Sequence, residues 1–567
     1  MKKILSNTLK LLGVILLTAC SQNNSSSSSI TNNSSSVSFV TSTESFLIEG
    51  VDYIDHAVTY DEENYIYNDK MWYINNLDKL PLPDPQIYEE NGVYYITGTS
   101  DRNNDVIDIY STKDFITFEE HYEVYNPANY DGWEKDKNPD IYAPEIYCFD
   151  GVYYLYYSAA YGGNNRANSV LKADNPVGPY EPIVNDEVNG IENPLLDDLD
   201  LTKELDATIF VDDDDRMYMY YAGSFNSVQY IMGVEMFSPY EADWSTKVDL
   251  VKPGYVNSTS TLKLLSWETY RALGPIAEAP FMLKSPNGQY YLTYSVNGCW
   301  NKYYSVCYAV SDSPLGNFEK PYKNGHEWSN LLLGYSGTNI EDSRIYNQWT
   351  GFASGTGHHC FFNIGDQIMI GYHAHKNRDW NNESKFTQRY FAMDYLYFDN
   401  DGVPFCNGPS WSLQPLPKAI SGYSNVAENA SINVENIENS TAINDNYIVD
   451  NYNLKGEEEK EVTLGKGTSF VELSFDKKYE IGGIAIYNSA YYGKQIPEVK
   501  YIDFGDGNAV YYPQFLNDYH VNDITSFVFP TSAITVEFPK KFTSNKVVIC
   551  FDLPEGGSIN EIKVLGK

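Results

Sequence analysis

Apolar and polar positions along this chain alternate in short bursts, and no long stretch follows a helical period. The clearest burst is DPQIYEENGVYYITGT from Asp84, which runs from a carboxylate into an apolar strand, an Asn-Gly turn and a second apolar strand. Four later segments repeat that design: APEIYCFDGVYYLYYS from Ala143, DATIFVDDDDRMYMYY from Asp206, APFMLKSPNGQYYLTYS from Ala279 and, more loosely, HHCFFNIGDQIMIGYH from His358. Asn91-Gly92, Asp150-Gly151 and Asn287-Gly288 supply the φ > 0 residues a short hairpin turn needs, and Asp213 to Asp215 and Gly365-Asp366 stand in the same place. The segments begin at intervals of roughly 60 to 80 residues, a blade period lengthened by loops. Five copies predict an all-β chain built on a five-bladed β-propeller.

Propeller blades are set radially about a central channel, so equivalent positions of each repeat point at the same place. That position holds Asp84 in the first repeat, Asp206 in the third and His358 in the fifth, and Glu278 lies one residue before the start of the fourth. Three carboxylates and a histidine, far apart in the chain, are therefore expected to meet in one pocket.

The flanks read differently. Residues 1–20, MKKILSNTLKLLGVILLTAC, combine a basic start, an apolar run too short to span a bilayer and small residues before Cys20. This is an export signal, and Leu17-Thr18-Ala19-Cys20 resembles a bacterial lipobox, which implies cleavage before Cys20 and lipid attachment there. Residues 21–45, rich in Ser and Asn, form a tether. The propeller is expected over 46–415 and a linker over 416–423. Residues 424–567 carry alternating runs such as SFVELSF, IGGIAIYN, AITVEF and NKVVICF, the pattern of a β-sandwich of jelly-roll type.

A formal net charge of −38 opposes attraction to nucleic acid and to anionic membranes, so contact with the membrane is expected only through the lipid and the partner is a neutral molecule. The chain is expected to be monomeric. The six cysteines after Cys20 show no metal spacing, and scattered thiols are expected rather than a disulfide framework. No Gly-rich phosphate loop, Ser nucleophile elbow or His-Glu-x-x-His motif is present. Paired carboxylates in a channel rich in Tyr and Trp are what glycoside cleavage needs: a protonated acid for the leaving oxygen, an ionised base for water and flat rings for sugar faces. Trp72, Trp133 and Trp300 are candidate platforms.

At these residues the chain resembles glycoside hydrolase family 43. The resemblance covers about residues 80 to 405 and rests on DPQIY, YAPEIY, LDATIFVDDD, EAPFMLK, GTGHHCFF and RYFAMDYLYFDNDGVPF. It implies an inverting hydrolase of arabinose- or xylose-containing glycans, with Asp84 as general base, Glu278 as general acid and Asp206 as the carboxylate that orients the acid and raises its pKa. It further implies that Arg389 and Tyr142 contact substrate, and Trp133 is expected to do so as a stacking platform. No cofactor is implied for the chemistry, but a structural calcium near His358 is. Two departures from the family pattern are Ala207, where Pro is common, and Tyr142, where Trp is frequent. The expected activity is release of terminal α-L-arabinofuranosyl units. The alternatives are a β-xylosidase, an endo-1,5-α-L-arabinanase and a non-catalytic surface lipoprotein that captures glycans. VELSFDKKYEIGGIAIYNSAYYGK from Val471 and INEIKVLGK from Ile559 resemble galactose-binding-like sandwiches of the discoidin type, modules that bind sugars or brace a catalytic domain.

Overall fold

In each repeat the apolar-turn-apolar burst forms the two inner strands of a four-stranded antiparallel blade. Blade I comprises Gln86–Glu90, Val93–Gly98, Ile107–Thr112 and Phe118–Tyr125. Blade II comprises Tyr142–Phe149, Val152–Ala160, Arg166–Ala173 and Glu181–Pro182. Blade III comprises Glu204–Val211, Met217–Phe225, Val228–Ser238 and Glu241–Val251. Blade IV comprises Ala277–Lys284, Tyr290–Val296, Ser305–Ser311 and Leu331–Leu333. Blade V comprises Ala353–Ile364, Gln367–Lys376, Arg389–Phe398 and Pro404–Cys406. This computed structural model describes residues 71–567 except 76–78, 101–104, 134–139, 161–164, 185–193, 202, 270–274, 323–328, 335–352, 377–387, 411, 435–439, 449–460, 490–498, 514–515 and 517–530. The export signal, Cys20 and the tether lie outside the described residues.

Both residues of the Asn91-Gly92 and Asp150-Gly151 turns have positive φ, as a two-residue hairpin requires. At Asn287-Gly288 only the glycine does, and Gly288 N–H closes a wider turn onto the Ser285 carbonyl.

The ring closes between blades V and I without a shared strand. Ile87 and Phe115 of blade I pack on Phe362 and Phe391 of blade V, and the segment before blade I lies along the third strand of blade V. There Phe391 N–H donates to the Leu80 carbonyl at 3.0 Å. The Asn75 side chain donates to the Met393 carbonyl and accepts from Met393 N–H, both at 2.9 Å.

The C-terminal region is sheet-rich: its eight strands are hydrogen-bonded into one connected, branched sheet. Gly467–Asn488 and Ala533–Leu553 run on as strands of 22 and 21 residues, with register shifts that bend them around a buried Val, Ile and Phe core. This region shares a second apolar cluster with the propeller. Trp72, 1% exposed, packs with Leu413, Tyr423, Tyr487 and Leu565, and its Nε1–H donates to Glu537 at 3.1 Å. The six cysteines among the described residues are free thiols.

The segment between blades III and IV is tied to blade IV by a buried ion pair. Lys320 Nζ lies 2.5 Å from Glu268 Oε2, and both side chains are wholly inaccessible. Glu268 also accepts from Gly254 N–H, the Tyr294 hydroxyl and the Asn330 amide. Lys320→Met removes one partner and leaves the buried Glu268 without its cation. The expected loss is about 3–5 kcal/mol of folding stability, measured by urea denaturation.

Candidate active site

The five repeat starts share an uncommon backbone. Asp84, Ala143, Asp206, Ala279 and His358 all have positive φ, between 45° and 61°. Such a residue costs about 1–3 kcal/mol when it is not glycine, and it persists only where its surroundings fix it. Bulges in the first strands of blades II to V accompany it, and each turns a side chain toward the channel.

What fixes the strain is a ring of hydrogen bonds from blade to blade. Ala143 N–H donates to Thr99 Oγ1, Asp206 N–H to Ser158 Oγ and His358 N–H to Ser295 Oγ, each at 2.9 Å. Asp84 N–H donates to His373 Nδ1 at 3.2 Å and so closes the ring from blade V to blade I. The corresponding residue of blade III is Ala222, which has no acceptor. There the Asp206 carboxylate accepts Ala279 N–H itself, at 3.0 Å. Asp206 thus holds the backbone next to Glu278.

Asp84 is 5% exposed. Its Oδ1 receives Arg389 Nη1 at 2.6 Å and faces His358 Nδ1 at 3.1 Å, and its Oδ2 accepts the Thr99 hydroxyl at 2.6 Å. Burial works against the charge, but Arg389 and His358 outweigh it and hold the carboxyl well below its usual range. The same pairing keeps His358 protonated, with its pKa at about 9 despite burial. His373 is different: burial holds it near 3, so it is neutral and its Nδ1 is free to accept from the backbone. His373 stacks on Tyr304 at 5.5 Å and 11°, and Gly357 leaves the space, since a Cβ there would stand 2.3 Å from the Tyr304 ring.

Glu278 shows the opposite balance. Burial first, then the neighbouring Asp206 carboxylate, pushes its pKa up to about 7. Gln229 Nε2 donates to its Oε2 at 3.2 Å. Asp206 is itself raised by burial, against the pull of His358. The cluster therefore holds one carboxylate firmly ionised and a second that is half protonated near neutral pH. Glu145, also raised by burial to about 7, accepts the Tyr147 hydroxyl at 2.5 Å.

The remaining expected contacts separate. Arg389 is bound to Asp84. Tyr142 lies at the rim, where its hydroxyl donates to Asp140 and the Arg166 guanidinium sits 4.8 Å from its ring centroid. Trp133 is 7% exposed and stacks on Tyr157 within the apolar cluster between blades I and II. His358 Nδ1 is engaged by Asp84 at 3.1 Å, and among the described residues no group of three or more His, Cys, Asp or Glu side chains is placed to hold a metal ion.

Residues 73–404 match the profile "Glycosyl hydrolases family 43". The chain belongs to this family. It is 28% identical over 341 residues to β-D-galactofuranosidase xynD of Aspergillus niger, which spans 56% of this chain and 80% of that protein. It is 26% identical over 339 residues to an extracellular exo-α-(1→5)-L-arabinofuranosidase of Cellvibrio japonicus, covering 58% of this chain and 86% of the relative. Among solved structures, a thermostable family-43 glycoside hydrolase aligns over 61% of this chain and 99% of its own length, at 24% identity and a TM-score of 0.48. The family member described here is a glycosidase.

Thr99, His373 and Gln229 were not singled out from the sequence. A signal for the first two exists: Thr99 follows Asp84 by 15 residues, and the matching place in the other repeats holds Ser158, Ala222, Ser295 and His373. Thr99→Val removes a donor that favours ionised Asp84, so the acidic limb of the pH–kcat/KM profile should move to higher pH. It also leaves Ala143 N–H unpaired, at a cost of roughly 1–3 kcal/mol in stability. Thr99→Ser keeps the hydroxyl and should restore the limb.

Proposed function

We propose that the protein is an inverting hydrolase that releases terminal α-L-arabinofuranosyl units from plant polysaccharides or their fragments. The observation that carries this reading is the opposite protonation of Asp84 and Glu278 within one buried cluster. Asp84 is the general base. Its Oδ2 accepts only Thr99 among the described residues and keeps a lone pair for a water. As that water attacks the anomeric carbon, Asp84 takes its proton, while Glu278 gives a proton to the departing oxygen. One water is consumed, the glycosidic C–O bond breaks, and the new C–O bond forms on the opposite face. Asp206 keeps Glu278 protonated by its charge and keeps it placed by holding Ala279 N–H. Arg389 and His358 keep Asp84 charged.

The furanose assignment is supported by the relatives, two of which are named for furanoside cleavage. β-D-galactofuranose shares the ring configuration of α-L-arabinofuranose and adds one hydroxymethyl group, which makes a galactofuranosidase the second reading. β-Xylosidase and endo-arabinanase activities would use the same three acids with other walls around them. Family membership leaves the non-catalytic capture protein without support. No step needs a cofactor. A calcium near His358 would have to draw on water and backbone oxygens. The leader and Leu17-Thr18-Ala19-Cys20 support a lipid-anchored enzyme outside the cytoplasm, and the apolar cluster around Trp72 supports a bracing role for the C-terminal region.

The test is hydrolysis of nitrophenyl furanosides and pyranosides together with linear and branched arabinan, with Glu278→Gln as the control. Arabinose release that the variant loses steeply on arabinan, and far less on activated aryl furanosides, is the expected result. Release of galactofuranose or xylose would move the substrate, and equal loss on both leaving groups would remove Glu278 as the acid.

A further inference from the structure

We propose that Trp300 is the platform on which the leaving portion of the glycan stacks, the first sugar beyond the bond that is cut. This rests on the reading of Glu278 as the acid. The acid must touch the glycosidic oxygen, so the leaving sugar lies on the Glu278 side of the channel. Chain connectivity puts Trp300 there. In blade IV Glu278 pairs with Ser295 and Ala277 with Val296, so the chain that continues past Val296 emerges beside the acid. Cys299 lies within the field of the cluster: the charges of Arg389, Glu278, Asp84 and Asp206 all act on its thiol.

The loop from Asn297 to Tyr304 is held in place. Asn297 Nδ2 donates to the Tyr303 carbonyl at 3.1 Å, Tyr303 N–H donates to Asn301 Oδ1 at 2.8 Å, and Asn301 Nδ2 donates to the Asn297 carbonyl. The Cys299 carbonyl oxygen lies 2.6 Å from His375 Nε2, two residues from the histidine that accepts Asp84 N–H. On this fixed loop Trp300 is 43% exposed, whereas Trp72, Trp133 and Trp267 are buried. Gly298, at φ +79°, lets the indole lie against the backbone, since a Cβ there would stand 2.7 Å from Cζ2. No aromatic ring or cation among the described residues packs on the indole. A large apolar ring, carried on a fixed loop that leaves the strand paired with the acid's strand and left open to solvent, suits the C–H face of a neutral sugar, because the ring's support is already ordered.

The experiment compares kcat/KM of the wild type, Trp300→Ala and Trp300→Phe on a 1,5-linked arabino-oligosaccharide and on α-L-arabinofuranosyl fluoride, whose leaving group is one atom. Trp300→Ala should lower the oligosaccharide value about tenfold and leave the fluoride within about twofold, and Trp300→Phe should recover most of the loss. Equal losses on both substrates, or no loss on the oligosaccharide, would overturn the proposal. A wild type that cleaves neither would overturn the arabinose reading instead. The same comparison would then be run on whichever galactofuranosyl or xylosyl fluoride and matching oligosaccharide it does cleave.

Discussion

A carboxylate that must keep its charge while buried is the constraint on which the rest of this structure depends. Asp84 meets it only because Arg389 and His358 of blade V and Thr99 of blade I reach it together. Blades V and I are the two ends of the propeller chain, so the site exists only when the ring is shut. The closure acts on the strand that matters: Leu80 and Asn75 bind Phe391 and Met393, on the strand that begins with Arg389. Farther along that strand, the Tyr397 hydroxyl receives Lys563 of the C-terminal region at 3.1 Å. The strand that carries Arg389 to Asp84 is thus contacted from outside by the C-terminal region.

The same cluster drives two carboxyls of similar intrinsic acidity apart. Burial raises both; at Asp84 the cations Arg389 and His358 outweigh it, whereas at Glu278 the Asp206 carboxylate adds to it. On the proposed reading, a base held so far down is a weak proton acceptor, and it would take the water proton as the new bond to sugar forms rather than before. Five strained backbone positions are maintained to aim these groups. The ring of side-chain acceptors keeps them in place, and Asp206 fills the gap left by Ala222.

Much of the fold was legible because each repeat writes its own signature: two apolar strands, a turn with glycine or aspartate, and a polar or small residue at the start. That start is the strained position, so the alignment that counted blades also found Asp84, Asp206 and His358, with Glu278 beside the fourth. Thr99, His373 and Gln229 act through contacts between different blades, and strand pattern carries no sign of those. Trp133 and Trp300 are equivalent as letters. Packing on Tyr157 removes one from the surface, and Gly298 with the Cys299 carbonyl contact presents the other. The C-terminal strands were legible by alternation, but the bulges that join them into one sheet depend on register across Gly467–Asn488 and Ala533–Leu553.

The central claim is that Asp84 activates water and never bonds to the sugar. The measurement that tests it most directly is proton NMR of the first sugar released from an α-L-arabinofuranoside, recorded before mutarotation. Initial appearance of the β-anomer is the result this account predicts. Initial appearance of the α-anomer would mean a covalent intermediate and two displacements, and would contradict it.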